Sequence, residues 1–105
     1  MSNSLLAGLP PVHPGDFLRE TAIRSAQEER NLTKIAIARA LGISRQTLYS
    51  ILKAKEPVTP RIALRLGHFF GTSPRMWAEM QLDYDLWAES KAQDLSDMPT
   101  VEDVP

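Results

Sequence analysis

The sequence predicts an all-α protein of five short helices, and three observations carry that expectation. Apolar residues recur at the three-and-four spacing of a helix face from Phe17 to Trp87, with no alternating run of the kind a strand shows. Hydroxyl residues stand where helices would start, at Thr33, Ser44, Thr59 and Ser73, and Gly42 and Gly71 stand where two would stop. With 105 residues and 43% hydrophobic content the chain can bury one small core, so the helices belong to a single domain.

Taken in order, Pro14 opens a first helix that carries Phe17, Leu18, Ile23 and Ala26 inward until Asn31 breaks it. Thr33 caps a second helix ended by Gly42, and Ser44 caps a third that runs to Lys53. A polar, proline-containing loop covers Ala54 to Val58. Thr59 and Pro60 open a fourth helix whose Ile62, Leu66, Phe69 and Phe70 face inward up to Gly71, and Ser73 with Pro74 opens a fifth that runs to about Lys91. From Asp94 the chain turns acidic, proline-containing and aperiodic, which reads as a disordered tail. The expected organisation is a flexible N-terminal segment over 1–12, a helix-turn-helix domain with a C-terminal dimerisation helix over 13–92, and an acidic tail over 93–105.

Residues Thr33 to Lys53 describe two helices hinged by a tight turn, with the second presented to solvent. Ile37, Ala38, Leu41, Ile43, Leu48 and Ile51 fall on the inner faces, and the small Ala38 lets the second of the pair approach the first closely. Arg45, Gln46, Tyr49, Ser50 and Lys53 point outward and all carry side chains able to hydrogen-bond, as a helix lying in the DNA major groove requires. The spacing of Ala38, Gly42, Leu48 and Ile51 resembles the helix-turn-helix of phage repressors and Cro. On this reading Arg45, Gln46, Tyr49 and Ser50 meet base edges. Thr33, Lys34, Ser44, Thr47, Lys53, Lys55 and Thr59 border the reading helix, where phosphates run.

Charge agrees once it is resolved along the chain. The net charge is −1, yet Arg30 to Arg75 holds nine bases and one acid, +8, against −7 for Met76 to Pro105 and −2 for Met1 to Glu29. The reading head thus sits in the only basic block, where attraction for phosphate is local.

The fifth helix is apolar on two faces. At about 100° per residue, Trp77, Met80, Tyr84, Trp87 and Ala88 form one stripe, while Leu82 and Leu86 lie across from it. One face can pack on the domain, and the other suits a second copy, since dimers place two reading heads about one DNA turn apart. Leu82 and Leu86 are therefore the expected homodimer interface.

Other classes are disfavoured. The absence of cysteine removes disulfides and thiolate metal sites, and His13 and His68 are too few and too far apart to suggest zinc, so neither a metal nor another cofactor is expected. Acids and histidines do not pair at helical spacing, and no glycine-rich phosphate loop occurs, so no enzyme is expected. His13 reads as a packing or capping residue at the first helix, and His68 as a partly buried imidazole beside Phe69 and Phe70. No apolar run approaches the ~20 residues of a membrane span, and the N-terminus lacks a signal-peptide pattern, so a cytoplasmic protein with no membrane partner is expected.

Larger pieces then extend the resemblance. His13-Pro14-Gly15-Asp16-Phe17-Leu18-Arg19-Glu20, the stretch LGISRQTL from Leu41 to Leu48, Ala63-Leu64-Arg65-Leu66, Phe70-Gly71-Thr72-Ser73-Pro74 with Trp77, and Tyr84-Asp85-Leu86-Trp87 together resemble the HigA/VapI antitoxins over about residues 13–88. The first helix departs by about four extra residues around Ala22 to Glu29, one additional turn. The resemblance implies a dimer that binds double-stranded operator DNA, represses its own toxin-antitoxin operon and neutralises a ribonuclease toxin of the HigB/RelE kind. The competing expectation is a stand-alone helix-turn-helix regulator with no toxin partner.

Overall fold

The computed structural model describes residues 10–105 and is helical throughout, with no strand among the described residues. Of the segment expected over 1–12, residues 1–9 lie outside the described residues, and 10–12 hold no regular structure. Helix α1 is α-helical over Pro14–Leu18, π-helical over Arg19–Ile23 and α-helical again over Arg24–Arg30. Then follow α2 (Lys34–Leu41), α3 (Arg45–Leu52), α4 (Pro60–Phe70) and α5 (Pro74–Ala92).

The π segment explains how α1 keeps one face inward. Leu18 and Ile23 are both fully buried although five residues apart, which in an α-helix is about 140° off a common face. Hydrogen bonds from i to i+5 stack such a pair on one side. The wider turn therefore returns Ile23, and after it Ala26, to the core. Asn31 ends α1 in the left-handed conformation (φ 54°), which asparagine tolerates better than most residues.

The caps of α2 to α5 fall where the hydroxyls stand: Thr33, Ser44, Thr59 and Ser73 each accept from the backbone N–H three residues on. The core joins Leu18 and Ile23 to Ile37, Ala38, Leu41, Leu48, Ile51, Leu66 and Trp77. Leu52 and Val58 join it too, outside the expected set, because Leu52 flanks Ile51 on the inner side of α3 and the following loop is bonded to α5 through Val58. Phe17, Ile43, Phe69 and Phe70 face inward as expected, half-buried against the edge of the core. Two expectations need correcting. His68 is exposed rather than partly buried, because it lies on the outer face of α4. The tail is not without structure: Thr100 and Asp103 form a capping box around a 3-10 turn at Val101–Asp103, with every residue from 91 to 105 exposed.

Helix α5 shows its two faces as expected. Trp77 is buried, donating Nε1–H to Thr72 Oγ1 (2.8 Å), and Tyr84 and Trp87 follow along the inner stripe half-buried. On that same stripe sits Gln81, which the apolar pattern passes over. Its Oε1 accepts from Val58 N–H (2.7 Å) and its Nε2–H donates to Asp85 (2.9 Å), so a buried amide fixes the loop after α3 to α5.

Candidate nucleic-acid interface

The interface is built on α2, the turn and α3, and local chemistry sets each end. Thr33 Oγ1 accepts from Ala36 N–H (3.1 Å) to start α2. Gly42, at φ 71°, ends it with its N–H on the Ala38 and Arg39 carbonyls, and Ile43 N–H returns to Ala38 O (3.1 Å). A side chain at Gly42 would be strained by the left-handed backbone and would also strike the Arg65 guanidinium. Ser44 starts α3 twice over, since its Oγ accepts from Thr47 N–H (3.0 Å) and donates to Thr47 Oγ1 (2.8 Å).

Two arginines from outside the motif brace its helices at their C-terminal ends. Arg65 of α4 donates to Leu41 O (2.8 Å) at the end of α2, and Arg19 of α1 donates to Leu52 O (2.6 Å) at the end of α3. A cation there satisfies an orphan carbonyl and opposes the negative end of the helix dipole. Arg19 is itself held by Glu20 (3.2 Å) and Asp16 (3.0 Å). Gly15 completes the seat of α3, because a Cβ there would fall on the Ile51 carbonyl oxygen, so only glycine lets α1 cross so closely.

One face of the pair is left with free hydrogen-bonding side chains. Arg45 and Gln46 are exposed at the first turn of α3 and, among the described residues, make no hydrogen bond or ion pair. Tyr49 lies one turn further on the same side, 39% exposed, with Lys34 Nζ 5.9 Å from its ring centroid. That cation–π approach links the start of α2 to the middle of α3. Ser50 is half-buried, and its carbonyl accepts from Lys55 N–H (2.8 Å), so its backbone serves the turn after α3 and its side chain sits off the centre of the face.

The residues expected at phosphates ring this face. Lys53 and Lys55 are exposed beyond the end of α3, and Ser44, Thr33 and Thr59 are exposed at helix starts. The oxygens of these three hydroxyl residues are taken by backbone N–H groups, and Thr47's by Ser44. The Thr33, Thr47 and Thr59 hydroxyl hydrogens stay available to donate, which is the role a phosphate oxygen asks for. Ala54 carries the chain out of α3 at φ 59°, left-handed for a residue with a Cβ, and so turns Lys55 beside the end of that helix. Sequence reasoning missed the two bracing arginines and the Ala54 turn.

Elsewhere, His13 caps α1: its Nδ1 accepts from Gly15 N–H (2.9 Å), and its ring meets Tyr84 edge-on at 4.8 Å. Burial lowers its pKa below the usual histidine value, partly opposed by the charges of Asp16 and Asp85. It is a structural residue, as its position before Pro14 suggests. Leu82 and Leu86 are 55% and 61% exposed, on the side of α5 away from the core. No described helix is long and apolar enough to cross a membrane.

Comparison with known proteins agrees with this geometry. The helix-turn-helix family matches residues 23–77. Virulence-associated protein I of Dichelobacter nodosus is 34% identical over 89 residues, which cover 84% of this chain and 79% of that protein. The solved structure described as Pseudomonas aeruginosa antitoxin HigA with higBA promoter is similar with a TM-score of 0.67 at 34% identity, over 78% of this chain and 85% of that one. A structure of antitoxin GraA in complex with its operator is similar with a TM-score of 0.67 at 34% identity, over 87% and 84% of the two chains.

Proposed function

Because the chain belongs to the HigA/VapI group of phage-repressor-like helix-turn-helix proteins, we propose that it is the antitoxin of a type II toxin-antitoxin module, which represses its own operon as a DNA-bound dimer and neutralises a HigB/RelE-like ribonuclease. The observation that carries the DNA half is the Arg45–Gln46 pair, exposed and unengaged at the capped start of α3 inside the +8 block. Arginine reads guanine and glutamine reads adenine in bidentate geometry, with Tyr49 and Ser50 following. Thr33, Lys34, Ser44, Thr47, Lys53, Lys55 and Thr59 then hold the phosphates on either side.

In this reading two copies meet through the outer face of α5. Leu82, one turn from Leu86, lines a groove with Ala78, Pro74, Pro60 and the 63% exposed Leu64, whose lining also includes the Arg75–Glu79 ion pair. A largely apolar strip of this kind suits a self-complementary interface. The toxin half draws on the similarity to HigA and GraA antitoxins. Room for a protein partner exists away from the reading head: a cleft of about 720 Å³ between α1 and the α4–α5 corner, floored by Phe17, Phe69, Phe70 and Trp77, contains none of the DNA-contact residues named above.

Co-purification with the product of the neighbouring gene, followed by a gel shift on the upstream DNA, tests both halves. A ternary shift is the expected result. DNA binding without any bound neighbour, and without rescue of growth, would leave a stand-alone regulator.

A further inference from the structure

The C-terminal tail follows a three-residue repeat that neither a helical nor a strand period detects. Leu95, Met98, Val101 and Val104 stand at every third position, all exposed, and an aspartate immediately precedes three of them, at Asp94, Asp97 and Asp103. A backbone with three residues per turn gathers such a set on one side. Two stretches of the tail already turn in that way, with Met98 N–H on Leu95 O (3.1 Å) and the 3-10 turn at Val101–Asp103. Continued through residues 99–100, such a turn would give an exposed apolar stripe edged by carboxylates, of which Asp94 accepts from Ser96 and Asp103 from Thr100.

Its chemical complement lies between α2 and α4. A groove of about 480 Å³ has Leu41, Leu64 and Phe69 in its lining together with Arg61, Arg65 and His68, and no acid. Positions 61, 64, 65 and 68 share one face of α4. None of the three bases pairs with a carboxylate among the described residues. Arg61 and His68 lie seven residues apart, about 10 Å of helix. One tail repeat advances about 6 Å in a 3-10 turn and about 9 Å in the polyproline form. Successive aspartates can thus reach the two basic ends while the apolar side chains between them face Leu64 and Phe69.

We propose that this groove receives the acidic, apolar tail of a second copy of the chain, an inference that rests on the dimer proposed above. Leu64 lines both this groove and the one that continues the Leu82–Leu86 face, so the two surfaces are contiguous. Copies paired antiparallel through α5 carry the end of one α5 toward the α4 side of the other. The thirteen residues 93–105 can then span up to about 45 Å. Within its own chain the tail would have to double back along about 15 Å of α5, from Ala92 to the level of Leu82.

Because the sequence contains no cysteine, single thiols report cleanly. Full-length Met98→Cys and His68→Cys chains are mixed, left to exchange subunits and treated with a short bis-maleimide, with sedimentation of the wild type alongside. The expected result is a dimeric wild type and a cross-linked heterodimer, whose yield falls at least fivefold in 1 M salt and on adding Arg61→Glu to the His68→Cys chain. A dimer that gives no cross-link in the mixture overturns the tail proposal and leaves the dimer standing. So does a cross-link formed only within one chain when both cysteines are placed together. A monomeric wild type overturns both.

Discussion

The pair α2–α3 and the outer half of α5 both present surface to solvent, but they are built in opposite ways. In the pair every end is fixed: Thr33 and Ser44 cap the starts, Arg65 and Arg19 hold the last carbonyls, and Gly15 seats α3 against α1. An open face of the pair carries hydrogen-bonding side chains, Arg45 and Gln46 foremost. On α5 the inner stripe is tied down by Trp77, Gln81 and Tyr84, while the outer side shows bare Leu82 and Leu86. The difference matches what the proposed function asks of each surface. A reader of base edges needs donors and acceptors held still, since a misplaced bidentate contact loses its discrimination. A protein partner needs only apolar area and supplies the order itself on binding.

The sharpest way to break this contrast is to unseat α3. Gly15→Ala places a methyl on the Ile51 carbonyl, against backbone that cannot swing aside, and should cost about 3 kcal/mol in urea denaturation. Operator binding should fall with it, while α5 keeps its own contacts. A next step removes the apolar surface instead. Leu82→Asp with Leu86→Asp should give monomers by sedimentation and lower operator affinity by about a hundredfold, through loss of the linked second half-site. Circular dichroism should be unchanged, because neither side chain belongs to the core of the single chain.

Smaller effects sharpen the boundary of the proposed reading head. Lys34→Ala and Lys55→Ala should weaken specific and random DNA alike, each making the salt dependence shallower by a slope of about 1. Lys34 should also loosen Tyr49, whose ring it approaches. The smallest effect is a pH dependence at His13. Its neutral imidazole caps α1 and its folded pKa is depressed, so its contribution is complete above the ordinary value of about 6.5. That contribution is lost as the pH falls through the lowered folded pKa. Melting curves between pH 7.5 and 5.5 should show the loss in the wild type and a flatter dependence in His13→Ala.

Legibility followed the range of the interactions. The caps at Thr33, Ser44, Thr59 and Ser73 and the stops at Gly42 and Gly71 act over three to five residues, so the residue types declare them. The bracing by Arg65 and Arg19 spans 24 and 33 residues of chain and leaves no local mark. Gln81 was hidden because an apolar pattern scores a glutamine as surface, whereas its amide is satisfied by a loop 23 residues away. The π segment in α1 has no residue signature of its own. It follows from the need to bury Leu18 and Ile23 together. The tail repeat was passed over because its period of three matches neither helix nor strand.

The central claim is that DNA reading resides in Arg45 and Gln46 and is separable from everything the rest of the surface does. The direct test measures Arg45→Ala with Gln46→Ala against operator and random DNA, with sedimentation and growth rescue from the toxin proposed as its partner on the same protein. Each truncation should cost about 1–3 kcal/mol at the operator and much less on random DNA. The dimer and the rescue should both persist. Equal losses on both DNAs, or a protein that no longer dimerises or rescues, would contradict the account.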